Sequence, residues 1–218
     1  ARTPDDRITC FLVEKEPGEK FEGITASKKI SKLGYRGLET VEMSYVDHRV
    51  PDTNVLGGEE GLGNGRKYAL SALELGRINV ASRAVGVAQA AFDAAMSYAQ
   101  ERETFGQPIF KHQAIQFKLA EMATKLQAAR LMTYDAAARA DAGERVDMEA
   151  GMAKLFASEA AYEIATDALR IHGGNGYTTE YPVERYFRDT PLMIIGEGTS
   201  EIQKMVIARK LLDRYSVE

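Results

Sequence analysis

The chain has 218 residues, and because 44% of them are hydrophobic it can bury a core. Its 28 basic and 32 acidic residues give a net charge of -4, which disfavours nucleic acids and anionic membranes as partners. No apolar run reaches the roughly 18 to 20 residues of a membrane helix, and the first residues lack the apolar core of a signal peptide. A single cysteine, Cys10, excludes an internal disulfide framework and a cysteine-based metal cage. These features predict a soluble, cytoplasmic protein.

Residues 1–60 have the pattern of antiparallel β structure. β-Branched and aromatic residues concentrate in segments 8–16 and 38–50. Turn residues separate the two segments, at Pro17-Gly18 after the first and at 34–37 before the second. About four short strands would leave unpaired sheet edges and too little core for a whole domain. We therefore expect residues 1–60 to be the C-terminal part of a β domain, and the chain to start within that domain.

Downstream of residue 60 the apolar residues recur at three- and four-residue spacing, as in Ile115, Leu119, Met122, Leu126 and Ala129. This period predicts long amphipathic helices over 62–101, 111–142, 147–171 and 199–214. Long helices with short connectors favour an antiparallel four-helix bundle over residues 61–218. The predicted fold class is therefore mainly α, with the bundle preceded by an incomplete antiparallel β domain.

Small and polar residues mark the predicted helix ends. Gly143 follows the second helix and Gly173-Gly174 follow the third, where glycine can adopt the left-handed backbone that ends a helix. Ser200 and Gln203 have the spacing of a capping box. The last helix is therefore predicted to begin at Thr199 or Ser200.

The signals for a metal or phosphate site are weak. His48, His112 and His172 have no acidic residue or second histidine at a helical metal-ligand spacing, and the Glu-x-x-His pairs of a di-iron bundle are missing, so we expect no metal site. The segment 61–65 is similar to a phosphate loop at the start of a helix. However, Arg66-Lys67 follows it instead of Lys-Ser/Thr, and we interpret it as a flexible entry into the first helix.

Glu197 is the strongest single candidate for chemistry. It stands between Gly196 and Gly198, after an apolar run and just before the last predicted helix. A ligand can approach this carboxylate closely because neither neighbour has a Cβ atom. On these local features alone, an ordinary loop leading into a helix is the alternative.

Five motifs stand in an order and spacing that resemble the acyl-CoA dehydrogenase family, namely 101–109, 112–116, 172–177, 188–189 and 196–203. The resemblance covers essentially the whole chain. It implies that residues 61–218 are the C-terminal helical domain and that residues 1–60 are the end of the middle β domain. It also implies an FAD-dependent enzyme that oxidises an acyl-CoA thioester to the trans-2-enoyl-CoA. We expect the family's N-terminal helical domain, and the β segments that contact the flavin ring, to lie outside this chain.

The resemblance also implies the role of Glu197. It is the base that removes the α-proton while the β-hydrogen leaves as a hydride equivalent to FAD. The backbone N–H of Glu197 and a ribityl hydroxyl of FAD would together bind the developing enolate oxygen. Some relatives carry the base on the first long helix, at the position of Gly76, and glycine cannot accept a proton. Glu197 is then the only base.

Further site residues are implied by the same resemblance. Contacts to FAD are expected from Arg102, Gln113, Arg170, Ile171, His172, Gly173, Gly174, Thr199, Ser200 and Glu201. Contacts to acyl-CoA are expected from Glu74, Leu75, Gly76, Arg77 and Gly198. Arginine suits a phosphate because its guanidinium bonds two oxygens and stays charged. Simpler roles stay open: Arg102 could pair with Glu101 or Glu103, Arg77 could form a salt bridge within its helix, and the two glycines could cap a helix.

Partners follow from the resemblance as well. FAD contacts supplied by adjacent subunits imply a homo-oligomer, most often a tetramer, with an electron-transfer flavoprotein as acceptor. In a eukaryote the implied location is the mitochondrial matrix. Two alternatives remain at this point, namely a helical assembly module without catalysis and an acyl-CoA oxidase.

Overall fold

The computed structural model of the chain describes residues 1–3, 6–16 and 21–216. Contacts divide the chain into two compact units, of which the first contains Ala1–Lys32 and Arg36–Leu73. The second contains Leu33–Tyr35 and Glu74–Glu218. The division at residue 73 lies inside a helix, and the domain boundary expected after residue 60 stays a prediction. The Pro17-Gly18 turn lies outside the described residues.

The first unit has little regular β structure among its described residues. Strands β1 (Ile24–Ala26) and β2 (Met43–Tyr45) pair antiparallel, with Ile24 opposite Tyr45. The prediction of a strand over 8–16 is wrong, because within the described residues Ile8 and Phe11 form only isolated bridges, to Arg2, Asn64 and Val55. β-Branched residues favour an extended backbone, but a ladder also needs a facing strand.

The predicted entry into the first helix is in the right place. The helix begins at Gly65, whose N–H donates to the Ile8 carbonyl at 2.8 Å. The Gly63 N–H donates to the Thr9 hydroxyl at 2.9 Å. These hydrogen bonds fix the segment to residues 8–9, so the expectation that it is flexible is not supported.

Within the described part of the chain five α-helices follow, and four of them match the predicted ones with ends shifted by three residues or fewer. They are α1 (Gly65–Glu101), α2 (Gln113–Asp141), α3 (Asp147–His172), α4 (Val183–Ile195) and α5 (Ser200–Arg214). Between α1 and α2 lies a hairpin of β3 (Glu103–Thr104) and β4 (Gln107–Pro108). The predicted mainly α class is confirmed, and α4 adds a fifth helix to the four expected.

Helix α4 was missed because it contains Pro191, which has no backbone N–H to donate within a helix. The structure compensates locally, since the Thr190 hydroxyl donates to the Phe187 carbonyl at 3.1 Å. On the same helix, the Asp189 carboxylate accepts the backbone N–H of Tyr35 at 2.7 Å. The Arg188 guanidinium also donates to the Leu33 carbonyl at 3.2 Å, so two hydrogen bonds join segment 33–35 to α4.

The core of the second unit is built around α3, which packs against α2, α4 and α5. Helix α1 contributes a stripe of buried alanines at 81, 84, 88, 91, 95 and 99. Larger side chains from α2, such as Leu119, Met122 and Leu126, fill the same cluster. Because alanine side chains are small, the helices can pack closely, and the large side chains of α2 share the core with the alanines of α1.

Glycine ends two of these helices, as predicted. Gly143 has a φ of 79° just after α2, and Gly173, with a φ of 58°, follows α3. None of the helices in the described ranges has the length and apolar content that crossing a membrane requires.

Candidate active site

Glu197 lies in a tight turn between α4 and α5. The Gly196 N–H closes the end of α4 by donating to the Leu192 carbonyl at 2.7 Å. Glu197 then has a φ of 54° and Gly198 a φ of 90°. A left-handed backbone is unfavourable for a residue with a side chain, and such residues often occur at functional sites.

The carboxylate of Glu197 contacts Gly76 on α1. A Cβ atom added to Gly76 would lie 2.6 Å from Oε2 and 2.9 Å from Cδ of Glu197. Real Cβ atoms do not approach other atoms so closely, so only glycine leaves this space to the carboxylate. The structure thus brings together the two positions that the sequence comparison related to the catalytic base.

Two buried side chains hold the backbone of this turn, and sequence reasoning missed both. The Lys154 ammonium donates to the carbonyls of Ile194 and Gly198, each at 2.8 Å. The Gln203 amide donates to the carbonyls of Glu197 and Gly198, each at 3.0 Å. A signal for Lys154 existed in the sequence, because this lysine interrupts the small and apolar face of α3.

Burial lowers the pKa of Lys154, because a charged ammonium loses water there. The nearby carboxylates of Glu159, Glu201 and Glu197 act in the opposite direction, and the Arg77 guanidinium adds to the lowering. The buried amine of Lys154 is thus surrounded by three carboxylates and one guanidinium group.

The first residues of α5 differ from the predicted capping box. The N-cap is Thr199, whose hydroxyl accepts the Ile202 N–H at 3.5 Å. Ser200 is the first helical residue, and its buried hydroxyl donates to Glu159 at 2.6 Å instead of capping the helix. The Ser200–Gln203 capping box was therefore wrong, because Gln203 bonds the Glu197 turn. Glu201 is exposed, and hydrogen bonds from its own backbone N–H and the Thr199 hydroxyl lower its pKa.

The four residues expected to contact acyl-CoA on α1 have different environments. Glu74 accepts the Val146 N–H at 2.8 Å and so caps the start of α3. Arg77 Nε is buried without a hydrogen-bond partner among the described residues. Leu75 is exposed and lines an open groove of about 450 Å³, here called the Leu75 groove, with Ile78, Asn79, Ser82, Arg83, Ala137, Ala140 and Asp141.

The hairpin after α1 presents a cation and an aromatic ring to the surface. Phe105 and Gly106 form its tip with φ angles of 53° and 78°, and Phe105 is 97% exposed. Arg102 is exposed at the base and forms no ion pair with Glu101 or Glu103 among the described residues. Gln113 is exposed at the first position of α2. The expected alternative of a paired surface arginine is therefore not observed.

The segment from Arg170 to Gly174 divides into buried and exposed parts. Ile171 and His172 are buried, whereas Arg170, Gly173 and Gly174 are exposed. Arg170 lies 3.6 Å from the Asp167 carboxylate. A ligand can therefore reach the glycine backbone and the Arg170 side chain more readily than the other two side chains.

His172 connects this segment to α1. Its ring stacks on Tyr98 with the centroids 4.2 Å apart, and its Nδ1 donates to the Ala168 carbonyl at 2.8 Å. Burial lowers the pKa of His172. The Asn175 amide donates to the Tyr98 hydroxyl at 2.9 Å, and the Arg102 N–H donates to the Tyr98 carbonyl at 2.9 Å.

Two groups are distinguished among the predicted residues. One surrounds the Glu197 turn and includes Gly76, Gly198, Thr199 and Ser200. The other links the base of the hairpin to the end of α3 through Tyr98 and His172. The described residues contain no cluster of three or more His, Cys, Asp or Glu side chains that could hold a metal ion.

Comparison with known proteins identifies the family of the chain. Residues 63–212 match the family model for the acyl-CoA dehydrogenase C-terminal domain. The chain is 50% identical over 208 residues to the short-chain specific acyl-CoA dehydrogenase of Rattus norvegicus, covering 95% of this chain and 49% of the relative. It is 48% identical over 205 residues to the 3-(aryl)acrylate reductase of Clostridium sporogenes, covering 94% and 52%.

The solved structure of butyryl-CoA dehydrogenase from Megasphaera elsdenii superposes with a TM-score of 0.88 at 42% identity, covering 94% of this chain and 52% of that one. The chain thus spans about half the length of the relatives it matches. The family model and the sequence identities lead to one conclusion: the chain belongs to the acyl-CoA dehydrogenase family.

Proposed function

We propose that the protein catalyses FAD-dependent α,β-dehydrogenation of an acyl-CoA thioester to the trans-2-enoyl-CoA. The observation that carries this proposal is the placement of the Glu197 carboxylate against Gly76, in a left-handed turn between two glycines. Members of this family are FAD-dependent enzymes. Bound FAD would accept the hydride equivalent.

Glu197 serves as the base in this proposal. Its carboxylate takes the α-proton of the thioester and becomes a carboxylic acid, and a general base of this kind contributes about 10²- to 10⁴-fold in rate. The Glu197 N–H makes no hydrogen bond among the described residues, so it is available to the enolate oxygen that develops. Both groups of the same residue would therefore act on the substrate.

Substrate contacts come from the surroundings of Gly76. Arg77 has a buried Nε without a partner among the described residues, which a polar group of the substrate would satisfy. We assign Leu75, which is exposed and lines the Leu75 groove, to contact with the acyl-CoA. We assign Gly198 to close backbone contact, and Glu74 to support of the site through its bond to Val146.

The second group of residues fits the FAD phosphates and adenosine. Arg102 supplies a cation with no ion pair among the described residues, and Gly173-Gly174 supply exposed backbone. The remaining FAD contacts in the proposal are Gln113, Arg170, Ile171, His172, Thr199, Ser200 and Glu201. Since Ile171 and His172 are buried, they would act through their backbone and through packing.

Assembly, electron acceptor and location complete the proposal. We infer a homotetramer, an electron-transfer flavoprotein as acceptor, and a cytoplasmic location, or the mitochondrial matrix in a eukaryote. We also infer that residues 1–60 belong to the middle β domain and residues 61–218 to the helical domain.

The similarity to a 3-(aryl)acrylate reductase favours a second candidate, in which the same site works in the reverse direction. Protonated Glu197 would then donate its proton to the α-carbon of an enoyl substrate, and the β-carbon would take the hydride equivalent that reduced FAD supplies when bound. Turnover with an acyl-CoA and an oxidising dye, compared with turnover of an enoyl substrate and a reduced dye, separates the two directions.

The test uses the full-length, FAD-loaded protein and its Glu197→Gln variant. We expect the variant to keep its FAD and to lose bleaching of the flavin by butyryl-CoA by about 10²-fold or more. Glu180→Gln, at an exposed position outside the site, is the matched control and should keep the wild-type rate. Undiminished bleaching in Glu197→Gln would refute the base assignment. A purified protein without flavin absorbance would favour the assembly module, and rapid reoxidation by oxygen would favour the oxidase.

A further inference from the structure

The turn that carries Glu197 is held by donors from two helices. The carbonyls of Ile194, in the last turn of α4, and of Glu197 and Gly198 accept four hydrogen bonds from Lys154 on α3 and Gln203 on α5. All four bonds go to backbone atoms. The Glu197 side chain and its N–H therefore stay available for substrate.

Both donor side chains are fully buried, and a polar side chain is rarely buried unless its hydrogen bonds are satisfied inside the protein. The side chains of Lys154 and Gln203 have no exposed surface. Removing an ammonium from water is costly unless it gains hydrogen bonds and opposite charges. Lys154 gains two carbonyls, and the groups that act on its charge are Glu159 on α3, Glu201 on α5, Glu197 in the turn and Arg77 on α1.

The turn needs this support because its backbone is strained. A φ of 54° at Glu197 costs free energy and persists only where surrounding contacts fix it. Gly198 leaves room for the contact, since a Cβ atom there would lie 2.7 Å from the Gln203 amide nitrogen. The positions of Gly198 and Gln203 are thus matched.

We propose that Lys154 and Gln203 are positioning residues that hold the Glu197 carboxylate in its proton-abstracting place against Gly76. This inference rests on the proposed role of Glu197 as the base. The two residues act through the turn backbone, and Lys154 also places a positive charge close to the carboxylate. Loss of the hydrogen bonds from either Lys154 or Gln203 lets the turn relax, and the Glu197 carboxylate then moves away from Gly76.

The experiment compares Lys154→Met and Gln203→Met in the full-length, FAD-loaded protein. Each replacement keeps the approximate length of the side chain and removes its donors. Gln203→Met also removes the buried Oε1, which has no hydrogen-bond partner among the described residues, so the fold should tolerate it. Lys210→Met on α5, which lies outside the site, is the control for loss of a lysine.

We measure flavin bleaching by butyryl-CoA in a single turnover, expressed per bound flavin, over a range of butyryl-CoA concentrations. A misplacement of about 1 Å costs about 10²-fold in rate, so the maximal bleaching rate of both variants should fall by 10- to 100-fold while the butyryl-CoA concentration at half-maximal rate changes little. Lys210→Met should keep the wild-type rate, because its ammonium pairs with Asp147 and not with the Glu197 turn.

Hydrogen–deuterium exchange of residues 194–199, in the absence of substrate, tests the same contacts without turnover. Faster exchange is expected in both variants and not in Lys210→Met. Wild-type bleaching per flavin in Gln203→Met would overturn the proposal, even if Lys154→Met failed to retain FAD. Turnover retained in Glu197→Gln would instead refute the proposed function, and the exchange result would still report whether the two side chains hold the turn.

Discussion

The carboxylate of Glu197 occupies the space that a side chain at Gly76 would fill. Glycine is an unfavourable residue inside a long helix, because it leaves the unfolded chain more freedom than alanine does. Its presence in α1 therefore has a local reason in the contact with Glu197. The contact also links α1 to the turn between α4 and α5, so a change on one element reaches the other.

Gly76→Ala should stabilise helix α1 and slow the reduction of the flavin by substrate. The new methyl group would lie 2.6 Å from the Glu197 carboxylate, which must move away. We expect flavin bleaching to slow by about 10- to 100-fold. Alanine in place of glycine also favours α1 by up to about 1 kcal/mol, which offsets part of the strain. Stopped-flow bleaching and thermal unfolding measure the two effects, and an unchanged rate would contradict the contact.

Replacing Glu197 itself should reveal the strain in the turn. Both Glu197→Gly and Glu197→Ala remove the carboxylate, but only glycine adopts a φ of 54° without steric cost. The glycine variant should be more stable than the alanine variant by about 1 kcal/mol. Chemical denaturation of the two proteins under the same conditions measures this difference. Equal stabilities would mean that the turn is not left-handed in solution.

The stability of the protein should decrease in mild acid because of His172. Burial lowers the pKa of this side chain in the folded state, so the unfolded chain binds the proton more readily. The stabilisation is complete above the unfolded pKa of about 6.5 and declines as pH falls towards the folded pKa. Between pH 7.5 and 5.5 the melting temperature should drop less in His172→Gln than in the wild type. Parallel pH profiles would exclude His172 as the cause.

Substitutions at Glu74 separate support of α3 from direct contact with substrate. Glu74→Ala leaves the Val146 N–H without its acceptor and should destabilise the fold by about 1 to 2 kcal/mol. Glu74→Gln keeps an acceptor oxygen and should preserve most of the stability. Denaturation curves and KM for butyryl-CoA are the measurements. A large rise in KM with unchanged stability would assign Glu74 to the substrate instead.

Arg102 should matter for cofactor retention rather than for folding. Its guanidinium is exposed and forms no ion pair among the described residues, so Arg102→Gln should leave the melting temperature of the apoprotein unchanged. The variant should lose FAD during gel filtration of the full-length protein, with about tenfold weaker binding for one lost charged hydrogen bond. Arg209→Gln, at an exposed position on α5, is the control. Undiminished flavin content in Arg102→Gln would contradict the assignment.

The helical part of the fold was predictable because its signals are local. Apolar spacing, together with Gly143 and Gly173, placed four helices within three residues of their ends. Helix α4 escaped prediction because Pro191 normally argues against a helix, and the sequence does not show that Thr190 satisfies the freed carbonyl. The prediction of a strand over 8–16 was wrong for a different reason, because strand pairing depends on residues that are distant in the sequence.

The sequence was sufficient to predict the candidate catalytic residue, but it did not predict the side chains that hold this residue in place. Glu197 stood out because two glycines flank it. Lys154 is far from Glu197 in sequence, and Gln203, six residues after it, was assigned to a capping box. Only the folded chain shows that both side chains bond the same turn. The contact of Glu197 with Gly76 likewise needs the packing of α1.

The stacking of Tyr98 on His172 has a consequence for how cofactor affinity would be distributed. Tyr98 is bonded to both the base of the hairpin and the Gly173–Tyr177 segment, so the two sets of proposed FAD contacts share one rigid junction. Energies from residues that share such a junction do not add independently. In a double-mutant cycle, Arg102 and Gly174 should therefore show a coupling energy that disappears when Tyr98 is replaced by alanine.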